Sequence, residues 1–215
     1  MMRLRIGILA AVSLLLIVCL PASAQVLYDN GPINGQTDAW TINFGFVVSD
    51  SFTISTGNST INGLSFGAWL FPGDTLESVD VLISSEEYGG TIYFNQQVNF
   101  TQSGCFLNQY TYNVCTETGS FIGPTLPNGT YWLNLLNAVT NTGDPVYWDE
   151  NSGVGCDSPG CPSEAGPGGE GTLPSEAFSI LGSPVGSGSV PEPGSLALFA
   201  GGAIGLFGIL RRRIG

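Results

Sequence analysis

Between Ile6 and Leu210 the chain carries no lysine, arginine or histidine, while all 17 acidic residues lie between Asp29 and Glu192. The five basic residues sit at the two ends: Arg3 and Arg5 near the start, Arg211, Arg212 and Arg213 near the finish. Whatever the central stretch folds into, its carboxylates find no side-chain cation. Each must be solvated, hydrogen-bonded, or neutralised by cations from outside. The same lack removes whole classes of function. Nucleic-acid binding needs basic groups on phosphates, and phosphate-cradling sites need their lysine. Ser-His-Asp and Cys-His catalysis lack their base, and the common zinc-hydrolase ligand sets lack histidine. Polyanionic ligands are repelled.

From Gln25 to Gly182 no helical periodicity runs long enough to define a helix. Short runs of β-branched and aromatic residues alternate instead with Gly, Asn, Asp and Pro, the pattern of an all-β sandwich. Strands are expected over 40–44, 47–55, 60–70, 78–84, 91–100, 109–115, 130–138, 146–149 and 177–181. Ser51-Phe52-Thr53-Ile54-Ser55 alternates as a half-buried strand does. Tyr131, Leu133 and Leu135 share one face of their strand, with Trp132, Asn134 and Leu136 on the other. Turns are expected at Pro72-Gly73-Asp74, Asn62-Gly63 and Pro127-Asn128-Gly129. The expected fold is a single jelly-roll-like β-sandwich over 25–182, with a long surface loop from Asn151 to Gly171. Residues 183–195, rich in Gly, Ser and Pro, read as a linker.

The ends carry an address. Arg3 and Arg5, the apolar run Ile6 to Leu20 and Ala22-Ser23-Ala24 form a signal peptide over 1–24, with cleavage between Ala24 and Gln25. Cys19 is preceded by Val18, where a lipidation site wants a small residue. At the other end, Pro191-Glu192-Pro193 is followed by an apolar segment, Leu196 to Leu210, and then by Arg211 to Arg213. A hydrophobic stretch followed by arginines leaves the arginines on the cytoplasmic side. Residues 196–215 are thus expected to form a single apolar helix with a basic end, holding an exported body at the inner membrane.

These parts, in this order, resemble the PEP-CTERM sorting signal of bacteria that make exopolysaccharide. The resemblance implies recognition by an exosortase, a membrane transpeptidase-like enzyme that cuts near Pro-Glu-Pro. It further implies membrane tethering through 196–210 before processing, then a cell-surface or extracellular product. The alternative is a permanent anchor. Fifteen residues make only about 22 Å of helix at 1.5 Å per residue, against a bilayer core of about 30 Å, although snorkelling arginines extend the reach.

Within the body, an exported chain with Cys105, Cys115, Cys156 and Cys161 favours disulfides. Sequence neighbours pair most easily: Cys105 with Cys115 and Cys156 with Cys161. A four-cysteine metal site would need tight Cys-x-x-Cys pairs that are absent. Asp149 and Asn151, with Asp29 and Asn30 if the first and later strands pair, offer a candidate oxygen set for Ca²⁺; ordinary turn chemistry is the competing explanation. Trp148, beside acids and a Gly-rich loop, is the expected exposed ring for stacking on a glycan. Glu86-Glu87 and Asp149-Glu150 tempt as glycosidase carboxylates. Adjacent strand residues, however, face opposite ways, and no catalytic residue is assigned. The expected function is non-enzymatic: a structural or adhesive component of an exopolysaccharide-associated matrix. The alternatives are a Ca²⁺-assisted carbohydrate-binding, lectin-like module in contact with extracellular polysaccharide and, behind it, a carboxylate-dependent glycoside hydrolase. Nucleic acid is not an expected partner.

Overall fold

Residues 24–151, 164–166, 171–172 and 174–186 are described in the computed structural model. Residues 1–23 of the expected signal peptide, Cys156, Cys161, the Pro-Glu-Pro motif and the expected apolar helix of 196–215 lie outside them. The described body falls within one compact unit, Ala24–Val185. Its strands are β1 (Gln25–Asp29), β2 (Ala39–Thr41), β3 (Val47–Ile54), β4 (Ser59–Leu70), β5 (Leu76–Glu86), β6 (Gly89–Leu107) and β7 (Asn113–Ser120). They continue with β8 (Thr125–Leu126), β9 (Gly129–Thr140), β10 (Tyr147–Asp149), β11 (Glu164–Gly166), β12 (Gly171–Thr172) and β13 (Phe178–Pro184). The fold is all-β and antiparallel, as expected. Its layers are the two ends of one curled sheet, in the order β1-β13-β4-β7-β6-β5-β9-β3-β11-β12.

The long strand β6 makes the curl. Its first part, through Asn99, pairs with β5, and Phe100 to Leu107 pair with β7. One strand therefore belongs to both layers, which we call front (β1, β13, β4, β7) and back (β5, β9, β3). Successive strands alternate between them: β3 back, β4 front, β5 back, β7 front, β9 back, β10 front. This crossing brings inward faces together. On the back layer Val48 opposes Leu135, which opposes Val81, and Phe52 opposes Tyr131. On the front layer Phe178 opposes Phe66, which opposes Glu117. The layers meet through rings, with Tyr28 6.2 Å from Phe52 and 5.8 Å from Phe178. Tyr131, Leu133 and Leu135 are buried, as their spacing predicts, while Trp132 and Leu136 are half-buried; Asn134 is buried through its own hydrogen bonds.

Several expectations are corrected. Asn62-Gly63 is no turn: it lies inside β4, where a Cβ on Gly63 would sit 3.0 Å from the Gly119 carbonyl. Gly63 serves close approach of neighbouring strands instead. Strand 40–44 ends at Thr41, because Phe44 (φ 57°) and Gly45 (φ 90°) turn the chain. Residues 108–112 turn rather than extend, and β7 runs on to Ser120 through a polar stretch with no apolar alternation. The expected surface loop contributes β11 to the back layer, Glu164 opposing Ser49, and β12 pairs with β11. The Pro72-Gly73 turn is present, with Gly73 at φ 100° and the Asp74 amide donating to the Phe71 carbonyl at 3.0 Å. β1 opens at Gln25, so cleavage after Ala24 leaves that strand whole.

Trp148 is fully buried on the inner face of the front layer, its ring against Phe66 and Phe178. The expectation of an exposed, sugar-stacking Trp148 is therefore overturned. The strand alternates, and Trp148 takes the inward position while Tyr147 and Asp149 face out. Trp148→Ala should cost about 3–5 kcal/mol, the usual price of deleting a large buried ring, read from urea unfolding. A loss below about 1 kcal/mol, which marks surface sites, would contradict this placement.

Candidate functional site

The two segments singled out for their acids, Tyr28-Asp29-Asn30-Gly31 and Tyr147 to Asn151, do come together, but through hydrogen bonds within the protein. The Asn151 side-chain amide donates to the Asn30 carbonyl and, at 3.1 Å, to the Glu176 carbonyl. Asn30 Nδ2 donates to Asp50 Oδ2 at 3.0 Å, and Tyr28 donates its hydroxyl to Asn30 Oδ1 at 2.7 Å. Asp50 is fully buried and also accepts from Ser175 Oγ (2.8 Å), the Glu176 amide (2.9 Å) and the Ser51 amide (2.7 Å). Burial still pushes its carboxyl up to about 6, these donors opposing the rise. The knot ties the exit of β1 and the segment leading into β13 to β3, closing one end of the sandwich.

Asp149 and Asp29 have separate roles. Asp149 Oδ2 accepts from the Asn34 amide at 2.8 Å, and its Oδ1 from the Gly35 amide (3.0 Å) and Trp69 Nε1 (2.6 Å). The buried carboxylate thus pins the loop after β1 across the outer face of the front layer. Gly67 leaves room for this, since a Cβ there would lie 2.7 Å from the Asp149 Cβ and 2.9 Å from Ile33. Burial raises the Asp149 carboxyl above its ordinary range, opposed by these donors. Asp29 is exposed and accepts from the Gly31 amide and Ser179 Oγ. Among the described residues no group of three or more acids and cysteines could hold a metal ion. Of the four residues expected as an oxygen set, Asn30 and Asn151 meet in the knot, Asp149 turns both oxygens to Asn34, Gly35 and Trp69, and Asp29 turns one to Gly31 and Ser179.

Two buried acids lack such cushioning. Glu117 faces the core opposite Phe66, and neither carboxyl oxygen has a hydrogen-bond partner; desolvation raises it to about 7. Glu150 is raised to about 7 by burial and by the charges of Asp38 and Asp149. Glu86 and Glu87 lie exposed at the β5–β6 hairpin.

A second feature went unread in the sequence. At the β6–β7 hairpin, Cys105 and Cys115 form the expected disulfide. Between them Asn108 organises a turn: its Oδ1 accepts from the backbone N–H groups of Tyr110 and Tyr112 at 3.0 Å each, and its own backbone N–H donates to the Tyr112 carbonyl at 2.9 Å. The turn holds Thr111 at φ 70° and lays Tyr110 over Trp69, ring centroids 5.6 Å apart and planes 25° apart. Tyr112 packs against Trp69, Phe71 and Tyr147 at 5.9, 5.1 and 5.5 Å. Trp69 is covered, whereas Tyr110 is 51% and Phe71 38% exposed. The available signal was two tyrosines two apart in a cysteine-bounded loop after an Asn.

Residues 189–213 match the PEP-CTERM protein-sorting motif, a match that includes Pro191, Glu192, Pro193 and Arg211 to Arg213. The chain therefore carries a PEP-CTERM sorting tail, and the protein is a secreted, surface-sorted one. This motif is associated with processing by exosortase. No curated protein matches the chain.

Removing the Asp149 carboxylate strands the Trp69 indole N–H and two amides. Asp149→Ala should cost about 2–4 kcal/mol, as for other buried charge-assisted bonds, measured by urea unfolding. The raised acids set the pH dependence. Folded Glu117 and Glu150 keep their protons to about pH 7 and Asp50 to about 6. The unfolded chain releases them near their ordinary values of 4.5 and 3.8. The folded state therefore binds more protons between these limits, and stability falls as pH rises. Tm should be higher at pH 5 than at pH 8, each kcal/mol lost over that range lowering it by about 2–4 °C for a domain of this size. Glu117→Gln should flatten that slope; an unchanged slope would show that Glu117 does not titrate differently on folding.

Proposed function

We propose that this protein is a non-enzymatic structural component of an exopolysaccharide-associated extracellular matrix. The apolar segment 196–210 holds it at the inner membrane until an exosortase cuts near Pro191-Glu192-Pro193. The cut leaves the β-sandwich at the cell surface or in the matrix. The observation that carries this proposal is a sorting tail joined to a disulfide-stapled sandwich whose most chemically distinctive side chains hold the fold together. Asp50 and Asp149 are consumed in internal hydrogen bonds, leaving them to bind structure rather than substrate. An acidic body without side-chain cations suits long residence in a hydrated polymer, where it stays soluble and resists self-association.

Replacing Pro191-Glu192-Pro193 by three alanines in the producing cell should leave the full-length chain in the membrane fraction. Deleting residues 25–182 while keeping both ends should weaken matrix cohesion, read as polymer released by gentle shear. A matrix of unchanged cohesion in the deletion strain would reject the structural role. Normal release of the alanine variant would reject processing at the motif.

A further inference from the structure

We propose that the ring cluster on the β6–β7 hairpin is a platform for neutral polysaccharide, with Tyr110 as the face on which a sugar ring stacks. The proposal builds on the matrix role above and names the polymer chemistry this surface takes.

Half of the Tyr110 surface meets solvent, while its other side is braced by the protein. Its amide is held by Asn108 and its inner face by Trp69. Trp69 is in turn held by the Asp149 carboxylate at 2.6 Å, and the hairpin that carries Tyr110 is closed by the Cys105–Cys115 disulfide. A loop ring normally gives up rotamer freedom when a ligand lands on it, which weakens binding. Here that freedom is lost on folding. Rigid aromatic anchors of this kind supply contact area at low entropic cost. Phe71 and Tyr112 extend the surface beside it, and the amide of Gln109, which donates to the Gln36 carbonyl at 3.1 Å, gives it a polar rim. An apolar floor with hydrogen-bonding edges matches a hexopyranose, whose C–H face is apolar and whose rim is hydroxyl.

Charge selects among possible occupants. The body offers no cation to a polyanion such as a uronic-acid polymer or a nucleic acid. A second copy of the same acidic body is repelled as well. The carboxylate tied to the platform, that of Asp149, lies beneath Trp69 with both oxygens hydrogen-bonded, so it presents no free anion to a cationic partner. The platform itself is lined by rings and an amide, none of them charged, a lining that suits an uncharged polymer.

The test is affinity electrophoresis of the mature, exported protein in native gels containing hydroxyethylcellulose, dextran, a soluble β-1,3-glucan or galactomannan, with alginate as the polyanionic control. Retardation is expected in at least one neutral gel and none in alginate. Tyr110→Ala should weaken it roughly tenfold, the scale of one lost ring stack, and Tyr110→Trp should retain it. Tyr93→Ala, which removes an exposed ring on the opposite layer (39% exposed), should leave it unchanged. Thermal melts confirm that each variant folds. Mobility unaffected by every neutral polymer overturns the proposal, as does equal retardation of Tyr110→Ala. A concentration-dependent dimer in sedimentation that Tyr110→Ala abolishes would assign the platform to a second copy and overturn it too. Any of these failures leaves the cohesion result for the 25–182 deletion standing, so the two proposals fail separately.

Discussion

The absence of any side-chain cation from the sandwich is the constraint on which the rest of the structure depends. A buried carboxylate ordinarily takes an arginine or lysine as partner; here each must recruit N–H and O–H donors or keep its proton. Asp50 and Asp149 take the first course, and the donors they recruit come from distant parts of the chain. Asp50 collects Asn30, Ser175 and the Glu176 amide; Asp149 collects Asn34, Gly35 and Trp69. Acids that elsewhere would sit in ion pairs act here as knots between β1, β3, β10 and the approach to β13. Glu117 takes the second course, holding its proton up to about pH 7 among core side chains.

These knots bear on the surface as well as on stability. Asp149 reaches outward from β10, so the loop it pins and the indole it holds lie on the outer face of the front layer. The indole then serves as the bed for Tyr110. The order of causation runs from a buried acid, through a covered tryptophan, to an exposed and immobile tyrosine. The sorting tail marks this protein for the cell surface, and the matrix role proposed above would set this ring among polymers. A rigid ring with a polar rim is suited to that setting, because it makes contact without having to order itself first.

Legibility in the sequence followed the range of the forces involved. Strand positions with strong local alternation, such as 51–55 and 131–135, were readable because one face of each is buried and the period is two. The Cys105–Cys115 pair was readable because a short hairpin brings near neighbours together. The stretch Thr116-Glu117-Thr118-Gly119-Ser120 was not, since nothing apolar marks it. It becomes a strand because β4 and β6 flank it on both sides, and Gly119 is required where a Cβ would meet Val98 at 2.8 Å. Asn62-Gly63 misled for the complementary reason: the dipeptide favours a turn locally, while the packing of β4 between β7 and β13 needs a residue without a side chain at that point. Trp148 was misplaced because its neighbours are acidic, and a single-residue parity decides which way a strand residue points.

The sequence by itself determined the export address, the all-β class, the disulfide of the hairpin and the impossibility of ion pairs within the sandwich. Each of these is a matter of composition or of contacts between near neighbours. Tertiary structure alone decided that Asp50 and Asp149 are internal ties, that Trp148 belongs to the core, and that Tyr110 rests on Trp69. Those outcomes depend on residues as far as 126 positions apart in the chain meeting across a curled sheet, and no local preference encodes which of many polar and aromatic residues will be the ones to meet.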